Sequence, residues 1–262
     1  MTQLLEGKRA IIYGAGGGIG SGVARTFARE GATVFLAGRT KATLQTVADQ
    51  IASSRGRAHL AVVDALDEGA VEQHAKSVVD QAGGIDVSFN LTNRGDAQGT
   101  PLVAMKADDL LRAVNNGLRS NFITARAAAR HMVAQKSGVI LHLNSASGEG
   151  AMPGMGSTGP ADAATESFMR YLAAEMGPQG IRVCGIWTAG VVETLTKEKL
   201  AAVGGENVPD LQAVEQMIAG MAALRRAPRL VDVAEVAVFL ASDRAAGITG
   251  TMVNVTSGIV LR

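Results

Sequence analysis

The sequence predicts an α/β fold, a doubly wound parallel sheet of about seven strands with helices on both faces. Short apolar runs of strand length alternate with amphipathic stretches of helical period along the 262 residues. That rhythm calls for a parallel sheet covered on both sides. A glycine-rich turn leaves the first run and opens the first helical stretch. With 47% apolar and 19% charged residues, the chain has enough apolar material to fill one large core.

In order, KRAIIYGA, ATVFLAG, HLAVVDA, DVSFNLT, GVILHLNSA, IRVCGIWTA and TMVNVTS read as buried strands. SGVARTFAREG, KATLQTVADQIASS, GAVEQHAKSVVDQAGG, ADDLLRAVNN, SFMRYLAAEM and VDVAEVAVFLAS read as helices. The run Val114-Asn115-Asn116-Gly117 predicts a weak, kinked centre for the fourth helix. Residues 191–228 hold two helical patterns and no strand, an insertion placed to cover the carboxyl ends of the strands, where such sheets bind ligands. No repeat or interdomain linker divides residues 1–262, which read as a single unit.

Several classes are disfavoured. A net charge near +1 and no long basic run argue against nucleic acid or acidic membrane as a partner. One cysteine, Cys184, excludes an intrachain disulfide framework and a cysteine-based metal cluster; no metal site is expected. The absence of a leader-like or membrane-length apolar stretch makes a cytoplasmic setting the expectation.

The turn reads Gly14-Ala15-Gly16-Gly17-Gly18-Ile19-Gly20. Glycine there lets backbone amides approach a pyrophosphate at a helix N-terminus; an unliganded glycine-rich turn is the plainer alternative. The second strand ends at Gly38-Arg39. Where NAD-type sites place a ribose-binding acid, Arg39 offers a guanidinium to a 2′-phosphate, which favours NADP(H) over NAD(H).

With these residues in place the chain resembles the short-chain dehydrogenase/reductase family over almost its whole length. The resemblance includes Asp64, where the family sets an acid against adenine, and Asn90 in Asn90-Leu91-Thr92-Asn93, where the family reads N-N-A-G. It also includes LHLNSASG, Gly190 with Thr194 on the loop that holds the nicotinamide amide, and ITGTMVNVTSG near the end. It implies a Rossmann-like sheet, hydride transfer between NAD(P) and a carbonyl or alcohol, and dimers or tetramers built through the fourth and fifth helices and the last strand.

The family's four-residue catalytic set maps unevenly. Its serine falls on Ser145, whose hydroxyl would polarise the substrate oxygen; capping of the strand end is the equal alternative. Its asparagine falls on Gly117, and Asn116 is turned about 100° away. Its tyrosine and lysine fall on Thr158 and Asp162, in STGPADAATE. A threonine hydroxyl is a poor general acid, although it can donate a hydrogen bond. Asp162 reverses the local charge, favours an oxidised nicotinamide ring, and could pair with Glu149 as acid and base. The same stretch also reads as a good helix start, with Thr158 or Gly159 as cap, Pro160 in the first turn and Asp162 at the positive end of the helix dipole. Tyr171 reads as core or subunit contact, and His131 and His142 read as structural. His59 and His74 belong to the cofactor half. Lys197 and Lys199 read as surface lysines within reach of an acidic substrate, and Cys184 as a small buried group.

Three functions follow. The favoured one is an NADP(H)-dependent oxidoreductase acting on a carbonyl or alcohol without the tyrosine–lysine pair. The others are a silent cofactor-binding subunit that partners an active family member, and a lyase or isomerase using the same cleft.

Overall fold

The computed structural model describes residues 3–197, 200 and 210–261. The elements are β1 (Arg9–Tyr13), α1 (Gly18–Arg29), β2 (Thr33–Gly38), α2 (Lys41–Ser53), β3 (Arg57–Val62), α3 (Glu68–Ala82), β4 (Val87–Asn90), α4 (Ala107–Gln135), β5 (Gly138–Asn144), α5 (Thr158–Met176), β6 (Ile181–Thr188), α6 (Leu211–Met221), α7 (Leu230–Ala241) and β7 (Met252–Val255). One seven-stranded sheet runs in the order β3-β2-β1-β4-β5-β6-β7, and every pair is parallel.

Each of the seven apolar runs contributes a strand; the five inner ones are buried, as apolar runs without alternation imply, whereas the edge strands β3 and β7, expected to be buried, contain no buried residue. Two cores result. Val23, Phe27, Leu36, Phe89, Ile186 and Val238 lie in the core on the α1, α2 and α7 side. Ile11, Phe35, Val78, Ile123, Ile140 and Met169 lie in the core beneath α3, α4 and α5. Local signals set the helix ends. Asp67 caps α3 by accepting from the Ala70 amide, and Gly83 stops it in the left-handed region at φ +81°.

One helix start needs correction, and one weak helix centre is supported by its surroundings. Through Val114–Gly117, α4 runs unbroken for 29 residues. Gly117 is buried there, and the Asn121 side chain, the Ser120 hydroxyl and the Asn116 side chain all bond to neighbouring carbonyls. Tertiary contact outweighs the weak propensity. The start of α5 differs. Its N-cap is Ser157, whose side chain makes no capping bond; its hydroxyl bonds the Ala97 amide and carbonyl instead. Thr158 is the first helical residue, and Asp162 lies beyond the first turn.

In the 191–228 segment, α6 packs Ile218 against Gly190, where an added Cβ would sit 2.7 Å from the Ile218 Cδ1. The second helical pattern of this segment, with Lys199, lies largely outside the described residues.

Candidate active site

The sheet order reverses between β1 and β4, so the turns after these two strands diverge and leave a crevice at their carboxyl ends. The glycine turn fills that place. Gly14 is in the left-handed region at φ +76°, and an added Cβ would stand 2.5 Å from the Leu91 carbonyl oxygen at the end of β4. Gly20 is closed against the Gly14 carbonyl, so α1 leaves the turn at once. The α1 N-cap is Gly17, with no side-chain cap. Gly17 and Gly18 are exposed, which leaves first-turn amides open to an anion. Gly16 faces Thr43 of α2, and Thr194 stands over Gly18, 2.9 Å from where its Cβ would be. Ile19 packs on the core beneath. Arg39 is exposed at the end of β2 and has no side-chain partner among the described residues. Asp64 follows β3 and turns its carboxylate onto the Leu66 amide. Asn90 binds Ser120 of α4 and holds Thr92 by its amide and hydroxyl. These residues form a cradle that fits a dinucleotide: glycine where the backbone must approach, free amides for phosphate, and an unpaired guanidinium beyond.

At the far end of the crevice, Asp162 is fully buried. Its Oδ2 accepts from the Ser145 amide (3.2 Å), the Ser145 hydroxyl (2.7 Å) and the Ser147 amide (3.1 Å). Its Oδ1 pairs with Arg94 Nη2 at 2.7 Å. A carboxylate only accepts, so the single Ser145 proton goes to Asp162, and the Ser147 hydroxyl, 2.8 Å away, is the donor to Ser145.

Arg94 comes from the turn after β4. Its Nε bonds both oxygens of Asp96 at 3.0 Å, and its Nη2 reaches the Thr158 carbonyl at 3.4 Å. Its side chain lies along Gly117, 3.0 Å from where a Cβ would stand. One arginine therefore touches Gly117, Thr158 and Asp162, the three positions where the resemblance expects asparagine, tyrosine and lysine. Burial pulls its pKa down, but the charges of Asp162 and Asp96 outweigh that and raise it above the ordinary arginine value. Thr158 is 2% exposed, and its hydroxyl accepts from the Gln98 amide. The segment 94–98 thus lies over the start of α5.

Behind Asp162, Glu166 accepts from Asn144 and Trp187 through Oε1. Burial raises its pKa, against the lowering pull of those two bonds, and the charges of Asp162 and Glu149 add to the rise. Glu149 is half-buried on the turn after β5. His142 is buried in β5, and desolvation lowers its pKa to about 3. His74 lies edge-on to Tyr13 at 6.0 Å and is lowered to about 4 by burial. His59 stacks on Phe35. Cys184 is buried. Tyr171, expected in the core or a contact, is not core: it is 71% exposed. Lys197 is exposed.

Sequence reasoning missed Arg94, Asp96, Gln98, Ser147 and Glu166. Arg94 left a signal. A carboxylate at a buried position needs a cation, and Arg94 is the only one between β4 and Met105.

Parallel order, crevice and glycine cradle define a Rossmann-type protein of the dehydrogenase kind. The profile of the family described as Enoyl-(Acyl carrier protein) reductase matches residues 14–260. The chain is 29% identical to the 3-oxoacyl-[acyl-carrier-protein] reductase FabG of Thermotoga maritima, over 98% of this chain and 99% of that protein. It is 33% identical to the oxidoreductase UcpA of Escherichia coli, over 97% and 94%. A solved 7alpha-hydroxysteroid dehydrogenase, complexed with NADH and 7-oxo glycochenodeoxycholic acid, superposes with a TM-score of 0.86 at 30% identity, covering 98% of this chain and 96% of that one. A putative short-chain alcohol dehydrogenase from Sinorhizobium meliloti gives 0.86 at 27% identity, over 99% and 98%. The chain belongs to the short-chain dehydrogenase/reductase family, a family of oxidoreductases. No helix among the described residues is long and apolar enough to cross a membrane, and no metal-binding cluster of His, Cys, Asp or Glu occurs among them.

Proposed function

We propose that this chain is an NADP(H)-dependent oxidoreductase that acts on a carbonyl or alcohol without the tyrosine–lysine pair of its family. The observation that carries the reading is the cradle at the switch point, open at the α1 N-terminus and followed by the unpaired Arg39. Gly14, Gly16, Gly17, Gly18, Ile19 and Gly20 would hold the pyrophosphate, Arg39 the 2′-phosphate and Asp64 the adenine. Asn90, Gly190 and Thr194 would line the path to the nicotinamide. When bound, the cofactor supplies or accepts the hydride.

The residues at the reacting end do something other than acid–base catalysis by tyrosine. Ser145 has committed its proton to Asp162, so it orients that carboxylate. Thr158 lies under the 94–98 turn. Asp162 sets a carboxylate, paired with Arg94, beside the expected place of the nicotinamide, which favours the oxidised ring. A homo-dimer or homo-tetramer through α4 and α5 is part of the proposal. Phe122 (43% exposed) and Tyr171 stand out on those helices, and Phe122 packs edge-on to Phe168 across them.

The test is a binding titration with NADPH and NADH, wild type beside Arg39→Ala. The reading predicts tighter NADPH binding, weakened toward the NADH value by the substitution. Binding of neither cofactor, or an unaltered preference in Arg39→Ala, contradicts it.

A further inference from the structure

We infer that Arg94 is the group that meets the reacting oxygen of the substrate, in the role that hydroxyl donors fill where the tyrosine is present. The inference rests on the oxidoreductase reading above. Its ground is a count of donors at the reacting end of the crevice. Ser145 gives its proton to Asp162. Thr158 is buried. Gln98 donates to Thr158. Arg94 spends Nε on Asp96 and Nη2 on Asp162 and the Thr158 carbonyl, but its Nη1 makes no hydrogen bond to any described residue. The side chain is 13% exposed. A guanidinium presents five N–H donors in a rigid fork, and here two anchored nitrogens fix the direction of the third. A buried, pre-oriented cationic donor is the arrangement that stabilises negative charge developing on an oxygen.

The consequence for chemistry is definite. When hydride reaches the β-carbon of a conjugated C=C–C=O group, its electron pair forms the new C–H bond, the C=C π pair forms the new double bond to the carbonyl carbon and the C=O π pair moves to oxygen, giving an enolate. Arg94 stabilises that oxyanion without giving up a proton, since arginine stays charged in proteins. Water then protonates the product. Carbonyls whose hydride adducts are resonance-stabilised anions, such as quinones and conjugated ketones, suit this site. Simple ketones, whose adducts are strongly basic alkoxides, do not. Asp162 has a second effect: by partly neutralising the guanidinium it limits the binding of the oxyanion.

The test uses para-nitrophenol as an oxyanion probe, whose absorbance distinguishes phenolate from phenol, with protein saturated by NADP⁺. A separate titration first establishes cofactor binding, so failure of the oxidoreductase reading is seen by itself. With cofactor bound, wild type is expected to bind nitrophenolate. Arg94→Gln is expected to weaken it roughly tenfold to a hundredfold, the worth of a hydrogen bond to a charged group. Arg94→Lys, which keeps the charge, recovers part of the loss. Asp162→Asn removes a neutralising charge and strengthens binding. A role that is only structural predicts the opposite sign for Asp162→Asn, because both substitutions break the same ion pair. Absence of bound phenolate in the cofactor complex, equal binding in Arg94→Gln, or weaker binding in Asp162→Asn overturns the inference.

Discussion

Replacing Arg94 by methionine probes the internal order of the site. The substitution keeps much of the length that lies along Gly117 and removes the charge facing the fully buried Asp162. Losing one partner of a buried ion pair costs about 3–5 kcal/mol. Asp162 keeps three donors, from Ser145 and Ser147, so the lower end applies, about 3 kcal/mol. For a chain of this size each kcal/mol lowers Tm by about 2–4 °C, so a fall of roughly 6–12 °C is expected. Urea unfolding by circular dichroism and fluorescence reads the free energy, and a thermal scan reads Tm. The control is Arg94→Met with Asp162→Asn, which removes both charges and leaves an amide oxygen for the serine amides. It is expected to regain more than half of the loss, because the cost lies in the uncompensated charge. A single variant within about 1 kcal/mol of wild type, or a double variant no more stable than the single, refutes the reasoning.

Other outcomes follow from the same geometry. His74 and His142 have folded-state pKa values of about 4 and about 3, against about 6.5 in the unfolded chain. The unfolded state therefore holds more protons between pH 4 and 6.5, and stability falls as pH drops through that window. The expected slope is about 1.4 kcal/mol per pH unit for each histidine. Glu166, raised by burial, works in the opposite direction, and comparison with His142→Leu isolates one histidine's share of the slope. Gly14→Ala places a Cβ against the Leu91 carbonyl at a left-handed backbone, so loss of NADPH binding in a titration is expected with the fold largely kept. Introducing the pair that the resemblance expects, Thr158→Tyr with Asp162→Lys, while Arg94 remains, sets two cations together where one carboxylate has been removed. Chemical denaturation is expected to show a loss of about 3 kcal/mol or more, relieved when Arg94 is also replaced by isoleucine.

The inner strands were legible because parallel strands buried on both faces leave continuous apolar runs, and the glycine turn was legible because backbone approach to Leu91 permits no side chain at Gly14. Counting from Ser145 singled out Thr158 and Asp162 at the start of α5, but the bond between Asp162 and that serine is seen only in the structure. The partner of Asp162 was not legible by counting. Arg94 lies 68 residues away in sequence, and only the fold brings the turn after β4 over α5. The unbroken α4 escaped propensity for the same reason: the packing around Gly117 is tertiary. Of the two readings for Tyr171, core or subunit contact, only the core one fails, because a helical pattern does not say which face a neighbouring helix covers.

The most direct measurement of the central claim is isotope transfer. NADPH carrying deuterium at its reacting carbon is incubated with the protein and a panel of quinones, conjugated ketones and simple ketones, and products are read by mass spectrometry. The account predicts deuterium in the product in proportion to NADPH consumed, lost when Arg94 is replaced by glutamine. Tight NADPH binding with no deuterium transferred to any acceptor contradicts it.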